Sequence, residues 1–250
     1  MLEFIHRRYK SFLVLLFWLG VWQVSAMIIS QSLFLPTPVE SIRALIKIVP
    51  QLTFWQDILS TFSRVVFGLA ISLVGGFVLA VLARFSKIVM ELITPIMNLV
   101  KTIPVMSFIL LFIVFIKSNF VPIIVCTMIC LPIAFTNISE GLKNVDEKLV
   151  EMGKVFSLKK HTIFSQIIFP QLKPYINSAV ILCVGFSWKT VVTTEVLSIP
   201  ASSIGYNLYI SKTYLDIPTL FAWTIAIVLI SVLVEKVVKK IFKIRKEKLL

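Results

Sequence analysis

The chain has 250 residues, of which 58% are hydrophobic and only 15% charged, and its mean hydropathy is +0.97. A soluble domain of this length needs more charge to cover its surface, so the composition excludes a soluble globular protein. The net charge is +13, and most of the Lys and Arg residues that give it lie outside the apolar runs. We therefore expect these residues to orient the chain in a lipid bilayer and not to bind nucleic acid.

Six apolar runs are long enough to cross a bilayer core, which takes roughly 20 residues. They cover about 11–30, 62–83, 92–116, 120–139, 175–194 and 219–238. The alternating pattern of a β-barrel is absent. The predicted fold class is therefore all-α, a polytopic membrane helix bundle of about six transmembrane helices that forms a single transmembrane domain over residues 1–250. The first run is too long for a signal peptide, so no cleavage is expected.

The Lys and Arg residues outside these runs divide unevenly between the two sides of the membrane. With six spans, eighteen of them lie on the side that holds both termini, and four lie on the other side. Cytoplasmic loops carry the excess of Lys and Arg. We therefore predict a multi-pass protein of the cytoplasmic (inner) membrane with both termini in the cytoplasm.

A short amphipathic helix is predicted after the first span. Pro36 and Pro38 break the chain, and Pro50 ends the pattern that follows. Between them, apolar residues recur at helical spacing: Ile42, Leu45, Ile46 and Val49. We expect this helix on the outer face, lying on the membrane or on the bundle itself. In the second span, Gly68, Gly75 and Gly76 either let a neighbouring helix approach closely or face lipid and make the helix flexible.

The third span is interrupted by Pro95 and Pro104, with Lys101 between them. Broken helices at membrane depth are tolerated where they face protein or a watery cavity. Lys101 therefore either faces protein or a watery cavity, or lies near the cytoplasmic interface, where a long side chain can reach water.

The fifth span ends in GFSWKTVVTTEVL and carries two ionisable residues, Lys189 and Glu195. Charges inside membranes are costly and usually face a pathway or a partner. The two residues are six apart, so they do not share a helical face and cannot pair simply. Glu195 could instead lie at the outer interface. The candidate path residues are Lys101, Trp188, Lys189 and Glu195.

Common nucleotide, hydrolase and metal motifs are missing. The sequence contains no G-x-x-x-x-G-K-[ST], no H-E-x-x-H and no G-x-S-x-G. Cys126, Cys130 and Cys183 are expected to be small buried hydrophobes, and the two His residues stand apart. We expect no catalytic residue, no metal site and no cofactor bound by this chain.

A polar loop, residues 140–173, separates two apolar spans and holds ten charges in 34 residues. An apolar stripe predicts a first helix: Val145, Leu149, Met152 and Phe156. Ser157 offers a helix cap. A second helical pattern is expected to stop at Pro170: Ile163, Phe164, Ile167 and Ile168. The first helix either rests on lipid or on the base of the bundle, or docks in a partner's groove.

The loop resembles the cytoplasmic loop of ABC importer permeases, whose pattern is Glu-Ala-Ala, three residues, Gly, nine residues, Ile, one residue, Leu-Pro. Glu151, Ile167 and Pro170 match this pattern without a gap. Met152, Gly153 and Phe169 depart from it, and Ser157 replaces the Gly. Further short matches resemble the nitrate/sulfonate/taurine group: LPTP at 35–38, SRVVFG at 63–68, KTIP at 101–104, SWKTVVTTEVL at 187–197, and Ile204-Gly205.

The resemblance implies a permease subunit, not an enzyme, that forms the substrate path and pairs with a second copy. Two separate ATPase subunits would use ATP and Mg²⁺, and an extracytoplasmic binding protein would deliver a small anionic or zwitterionic solute, such as a sulfonate, nitrate, taurine or a vitamin precursor. The resemblance places five residues at the ATPase contact: Glu151, Met152, Gly153, Ser157 and Pro170. The alternative is a stand-alone secondary transporter, which would show internal repeats and paired intramembrane charges.

Overall fold

The computed structural model describes residues 2–29 and 34–247, and every regular element within them is helical. The helices are α1 Leu2–Ile29, α2 Pro38–Ile48, α3 Leu52–Phe85, α4 Lys87–Thr102, α5 Val105–Phe115, α6 Val121–Lys143, α7 Glu147–Val155, α8 Lys160–Ile163, α9 Phe169–Ser198, α10 Ile204–Thr213 and α11 Ile217–Glu247. A π-helical turn, Phe164–Ile168, joins α8 to α9.

The centre of the bundle is α6, which packs between α3 and α9. Two glycines of α3 make the first contact close. A Cβ atom at Gly68 would lie 2.8 Å from the Cys126 Cβ atom, and one at Gly76 would lie 2.6 Å from the Ala134 Cβ atom. The predicted close approach at these two glycines is confirmed, because neither position has room for a side chain.

The predicted amphipathic helix is present as α2. Thr37 caps it: the Thr37 Oγ1 atom accepts from the Glu40 backbone N–H at 3.2 Å, and the Thr37 N–H donates to the Glu40 carboxylate at 2.8 Å. This reciprocal capping box satisfies donors that a helix start would leave unpaired. Leu45 and Ile48 pack against the core and Ile46 is exposed, so α2 lies on the bundle, mainly against α11.

Within the described residues, four helical stretches are long and apolar enough to cross a membrane. They are Leu52–Phe85, Val121–Lys143, Lys160–Ser198 and Ile217–Ile241. A fifth crossing can be formed by α4 and α5 together, and Leu16–Ile29 of α1 is a shorter apolar helix. The predicted interruption of the third span is larger than a proline kink: α4 and α5 are bent by 100° at Ile103 and Pro104, whereas Pro95 is accommodated inside α4.

Candidate functional site

The first helix of the polar loop is α7, and both its ends are closed by local hydrogen bonds. Asp146 caps the start, where its Oδ1 atom accepts from the Lys148 N–H at 2.9 Å. At the end, the Leu158 N–H donates to the Gly153 carbonyl at 3.0 Å and the Ser157 N–H donates to the Lys154 carbonyl at 2.9 Å. This is a Schellman motif, in which the residue after the helix is left-handed.

Ser157 occupies that left-handed position with a φ of 55°. The predicted N-terminal cap at Ser157 is wrong, because the second helix has Lys159 as its N-cap residue, and Ser157 instead ends α7 through its backbone. Glycine is the residue usually found there, because a Cβ atom is strained at positive φ. The Gly of the family pattern thus has a physical reason, and Ser157 adopts the same conformation at some cost.

Three contacts attach α7 to the rest of the chain. Gly153 is buried, and a Cβ atom there would lie 3.0 Å from the Ile167 Cδ1 atom and 3.2 Å from the Ile163 Cγ1 atom. The Asp146 N–H donates to the Gln171 Oε1 atom at 2.9 Å. The exposed pair between Arg84 and Glu147 joins the end of α3 to the start of α7 at 2.9 Å.

A broad apolar side of α7 and of its C-cap residue Phe156 is uncovered. Met152 is 50% exposed, Val155 80% and Phe156 71%, and Leu149 is also exposed. Glu151 lies exposed beside them. The predicted apolar stripe therefore exists, but over these residues it faces away from the bundle.

The predicted stop at Pro170 is wrong. The chain runs from α8 through the π-helical turn into α9 as one helical stretch, Lys160–Ser198. In this turn the Phe169 N–H donates to the Phe164 carbonyl, five residues back. The missing N–H of Pro170 falls where the α-helical ladder is already interrupted, so the proline is tolerated. Consequently α7 packs, through Ile163 and Ile167, on the same helical stretch that becomes α9.

The structure does not bring the four predicted path residues together. Lys101 is exposed at the end of α4, and its Nζ atom donates to the Thr136 Oγ1 atom at 2.6 Å. Lys189 is exposed on α9. Trp188 is only 2% exposed, and its Nε1 atom has no hydrogen-bond partner among the described residues.

Glu195 is fully buried within the chain, so it is not a free surface charge. One of its oxygens, Oε1, lies 2.7 Å from the Arg64 Nη1 atom of α3. The other, Oε2, accepts from the Thr61 hydroxyl at 3.0 Å and from the Gly205 N–H at 3.2 Å. We call Thr61, Arg64, Glu195 and Gly205 the ion-pair cluster.

The ion-pair cluster joins three helices. Arg64 also donates to the carbonyls of Ser202 at 3.3 Å and Ala201 at 3.4 Å, and the Thr61 hydroxyl accepts from the Ile204 N–H at 3.0 Å. These bonds hold the turn between α9 and α10 against α3. Sequence reasoning missed the Arg64–Glu195 pair, although two opposite charges in separate predicted spans were a usable indication of it.

No group of three or more His, Cys, Asp or Glu side chains that could hold a metal ion occurs in the described part of the chain.

Comparison with known proteins identifies the family. A family model described as "Binding-protein-dependent transport system inner membrane component" matches residues 72–243. The chain is 21% identical over 221 residues to the taurine transport system permease protein of Escherichia coli strain K12, with 86% of this chain and 80% of that protein covered. It is 24% identical over 222 residues to a formylaminopyrimidine transport permease protein of Halalkalibacterium halodurans, with 88% of each covered.

The fold is shared with a solved ABC transporter. A chain from a crystal structure of an amino acid ABC transporter with histidines aligns with a TM-score of 0.59 and 16% sequence identity, covering 81% of this chain and 96% of that one. This likeness confirms the predicted all-α membrane bundle, and the relatives confirm the predicted resemblance to ABC importer permeases. Because the family match spans more than half of its residues, the chain belongs to the family of binding-protein-dependent transport system inner membrane components.

Proposed function

We propose that this chain is the translocation subunit of an ABC importer and that α7 docks into a groove of a separate ATPase subunit. The observation that supports this most strongly is the uncovered apolar face of α7. In a segment too short and too charged to span a bilayer, exposed Met152, Val155 and Phe156 are costly unless another surface covers them. An amphipathic helix in a partner's groove is a common mode of recognition.

The packing of Gly153 suggests how docking would be transmitted. The buried side of α7 lies on Ile163 and Ile167, which belong to the helical stretch that continues into α9. A displacement of α7 would therefore be transmitted directly to α9. Glu151, Met152 and Ser157 would contact or shape the ATPase surface, while Gly153 and Pro170 would shape the support beneath it. ATP and Mg²⁺ would be bound by the ATPase subunit.

The path and its cargo are proposed from the charges that remain accessible. Lys101 and Lys189 are exposed cations on helices of the bundle, which favours a small anionic or zwitterionic solute. Trp188 and Glu195 are buried within the chain, so we assign them the positioning of the α9 segment that carries Lys189. A second copy of the chain would complete the path, and an extracytoplasmic binding protein would deliver the solute. The excess of Lys and Arg beside the polar loop favours a cytoplasmic location for this loop and both termini.

The substitution Glu151→Lys tests the docking of α7. When the tagged variant is co-expressed with the ATPase subunit, it should retain at least tenfold less ATPase than wild type during purification. Reversing the charge at position 151 would disrupt electrostatic complementarity between α7 and the ATPase surface. Glu91→Lys is the matched control, since it makes the same change at an exposed site of α4 outside the polar loop. Normal ATPase retention and normal transport by Glu151→Lys would exclude docking through α7.

A further inference from the structure

A cavity of about 520 Å³ opens at the end of the bundle opposite the polar loop. Its walls come from the end of α2, the start of α3, α10 and the start of α11. Small-molecule sites in proteins are typically clefts of roughly 300–1,000 Å³. The cavity therefore has the size of a binding site for a small molecule or for one or two side chains of a partner.

The lining of the cavity is acidic and aromatic. It includes the carboxylates of Asp57 and Asp216 and the rings of Tyr206, Tyr214 and Trp223, and no Lys or Arg is among its lining residues. The charged residues of the lining are therefore acidic, although the chain as a whole has a net charge of +13. Carboxylates and aromatic faces are the groups that recognise ammonium and guanidinium ions.

Asp57 gives the cavity a carboxyl group that forms no salt bridge with a described residue. It is only 9% exposed, and its Oδ2 atom accepts from the Asn207 Nδ2 atom at 2.7 Å. Its Oδ1 atom receives no hydrogen bond from any described residue. Arg64, two helical turns along α3, is committed to Glu195. Asp57, Arg64 and Glu195 are the buried charged residues among the described side chains, and Asp57 is the one of the three that forms no salt bridge with a described residue.

Hydrogen bonds within the chain position the residues around the cavity. Asn207 is fixed by a second bond, from its Nδ2 atom to the Ser203 carbonyl at 2.9 Å. The start of α10 is bound to α3 through the ion-pair cluster. Asp216 stands at the exposed rim, where its Oδ1 atom accepts from the Thr219 N–H at 3.2 Å. A ligand would therefore meet a preformed acidic pocket with one deep and one peripheral carboxylate.

We propose that this cavity binds a cationic nitrogen, an ammonium or guanidinium group, of a ligand that reaches the outer face. Its location on the outer face rests on the orientation given in the proposed function. The group could belong to a free amine-bearing solute, which would narrow the proposed anionic or zwitterionic cargo to zwitterions, or to a basic side chain of the docked binding protein. Asp57 would receive the cationic nitrogen, and the tyrosine and tryptophan rings would surround it.

The first test uses the purified full chain in detergent and two probes of equal length, propylammonium and propanesulfonate. Saturation-transfer NMR should detect propylammonium and not propanesulfonate. Asp57→Asn, which keeps the shape and the Asn207 contact, should weaken propylammonium binding at least fivefold. Glu235→Gln, which removes a carboxylate of α11 outside the cavity, should leave it unchanged. The second variant is Asp216→Asn, chosen because Asp216 is exposed and is not required for packing.

The second test asks whether the cation comes from a partner. Carbodiimide treatment of the permease with its binding protein should link Asp216 to a partner lysine, and Asp216→Asn should abolish that link. Propylammonium binding indicates a free amine as the source, and cross-linking alone indicates a docked side chain. If neither occurs, the proposal is overturned. The NMR test needs no ATPase, so its result is independent of whether α7 docks.

Discussion

The ion-pair cluster and the polar loop show two opposite ways of holding a short helix. The cluster binds the start of α10 with buried bonds that leave both oxygens of Glu195 satisfied. The loop attaches α7 by one buried glycine face and two exposed contacts, and leaves its apolar face uncovered. Buried ionic networks become costly when broken, whereas exposed pairs are worth little. We infer that contacts within the chain fix the position of α10, whereas α7 needs contact with another surface to be held firmly.

The largest effect should come from Glu195→Gln, which leaves the Arg64 guanidinium buried without its counter-charge. Breaking a buried pair in this way typically costs about 3–5 kcal/mol. We expect a loss of that size in the free energy of unfolding, measured by denaturant titration in micelles. The matched control is Glu235→Gln, which breaks the more exposed pair with Lys239 and should change stability by less than about 1 kcal/mol.

A second substitution in the same experiment distinguishes the effect of the lost charge from the effect of lost packing. Adding Arg64→Met to Glu195→Gln removes the lone cation, so the double variant should recover part of the lost stability. Equal stability of wild type and Glu195→Gln would mean that the cluster does not hold α10 as its geometry implies.

The next largest effect is expected for Gly205→Ala. A Cβ atom there would lie 2.3 Å from the Glu195 Cβ atom and 2.6 Å from the Val196 backbone nitrogen, and backbone cannot move aside cheaply. We expect a loss of about 1–3 kcal/mol in the free energy of unfolding. Gly185→Ala, in open space on α9, is the control and should be neutral or slightly stabilising. A larger loss for Gly185→Ala would contradict the close contact at α10.

A smaller change of opposite sign is expected for Ser157→Gly. Glycine removes the strain of a positive φ and should stabilise the end of α7 by about 1 kcal/mol. Hydrogen–deuterium exchange of residues 153–158 should slow, while exchange around α10 should stay the same. Ser157→Val is the comparison and should speed exchange in α7, since branched side chains tolerate this conformation poorly. Faster exchange for Ser157→Gly would exclude the backbone cap.

The smallest effect is expected for Glu147→Gln, which breaks the exposed pair with Arg84. Surface pairs are worth about 0–1 kcal/mol, so global stability should barely change. If the free energy of unfolding fell as far as in Glu195→Gln, the contrast between the two regions would be lost.

Patterns local in sequence predicted local structure well. The spacing of Ile42, Leu45 and Ile46 predicted α2, and the stripe through Leu149 and Met152 predicted α7, because amphipathic periodicity reports one helix at a time. The loop also carried the family resemblance, since its motif lies within twenty residues. The charge and hydropathy of the apolar runs were enough to predict an all-α membrane bundle.

Long-range pairing and backbone irregularity could not be predicted in the same way. Arg64 and Glu195 are separated by 131 positions, and nothing in either span shows which residue the other faces. A proline indicates a break in an α-helix, so Pro170 predicted a stop, but the π-helical turn supplies another way to accommodate it. Pro95 and Pro104 look alike in the sequence, yet only the second coincides with the 100° bend.

The π-helical turn at Phe164–Ile168 amounts to one residue inserted into an otherwise continuous helix. Each residue of an α-helix advances the chain by about 100° around the axis and 1.5 Å along it. In the π-helical turn a hydrogen bond closes over five residues instead of four, so the extra residue is absorbed without a full 100° step in the phase of α9 relative to the Ile163 contact under α7. If one residue of the turn were deleted, a regular α-helix could take its place and Lys189 and Glu195 would keep nearly the same direction relative to α7, whereas a deletion within the regular part of α9 before Lys189 would turn both residues by about 100°.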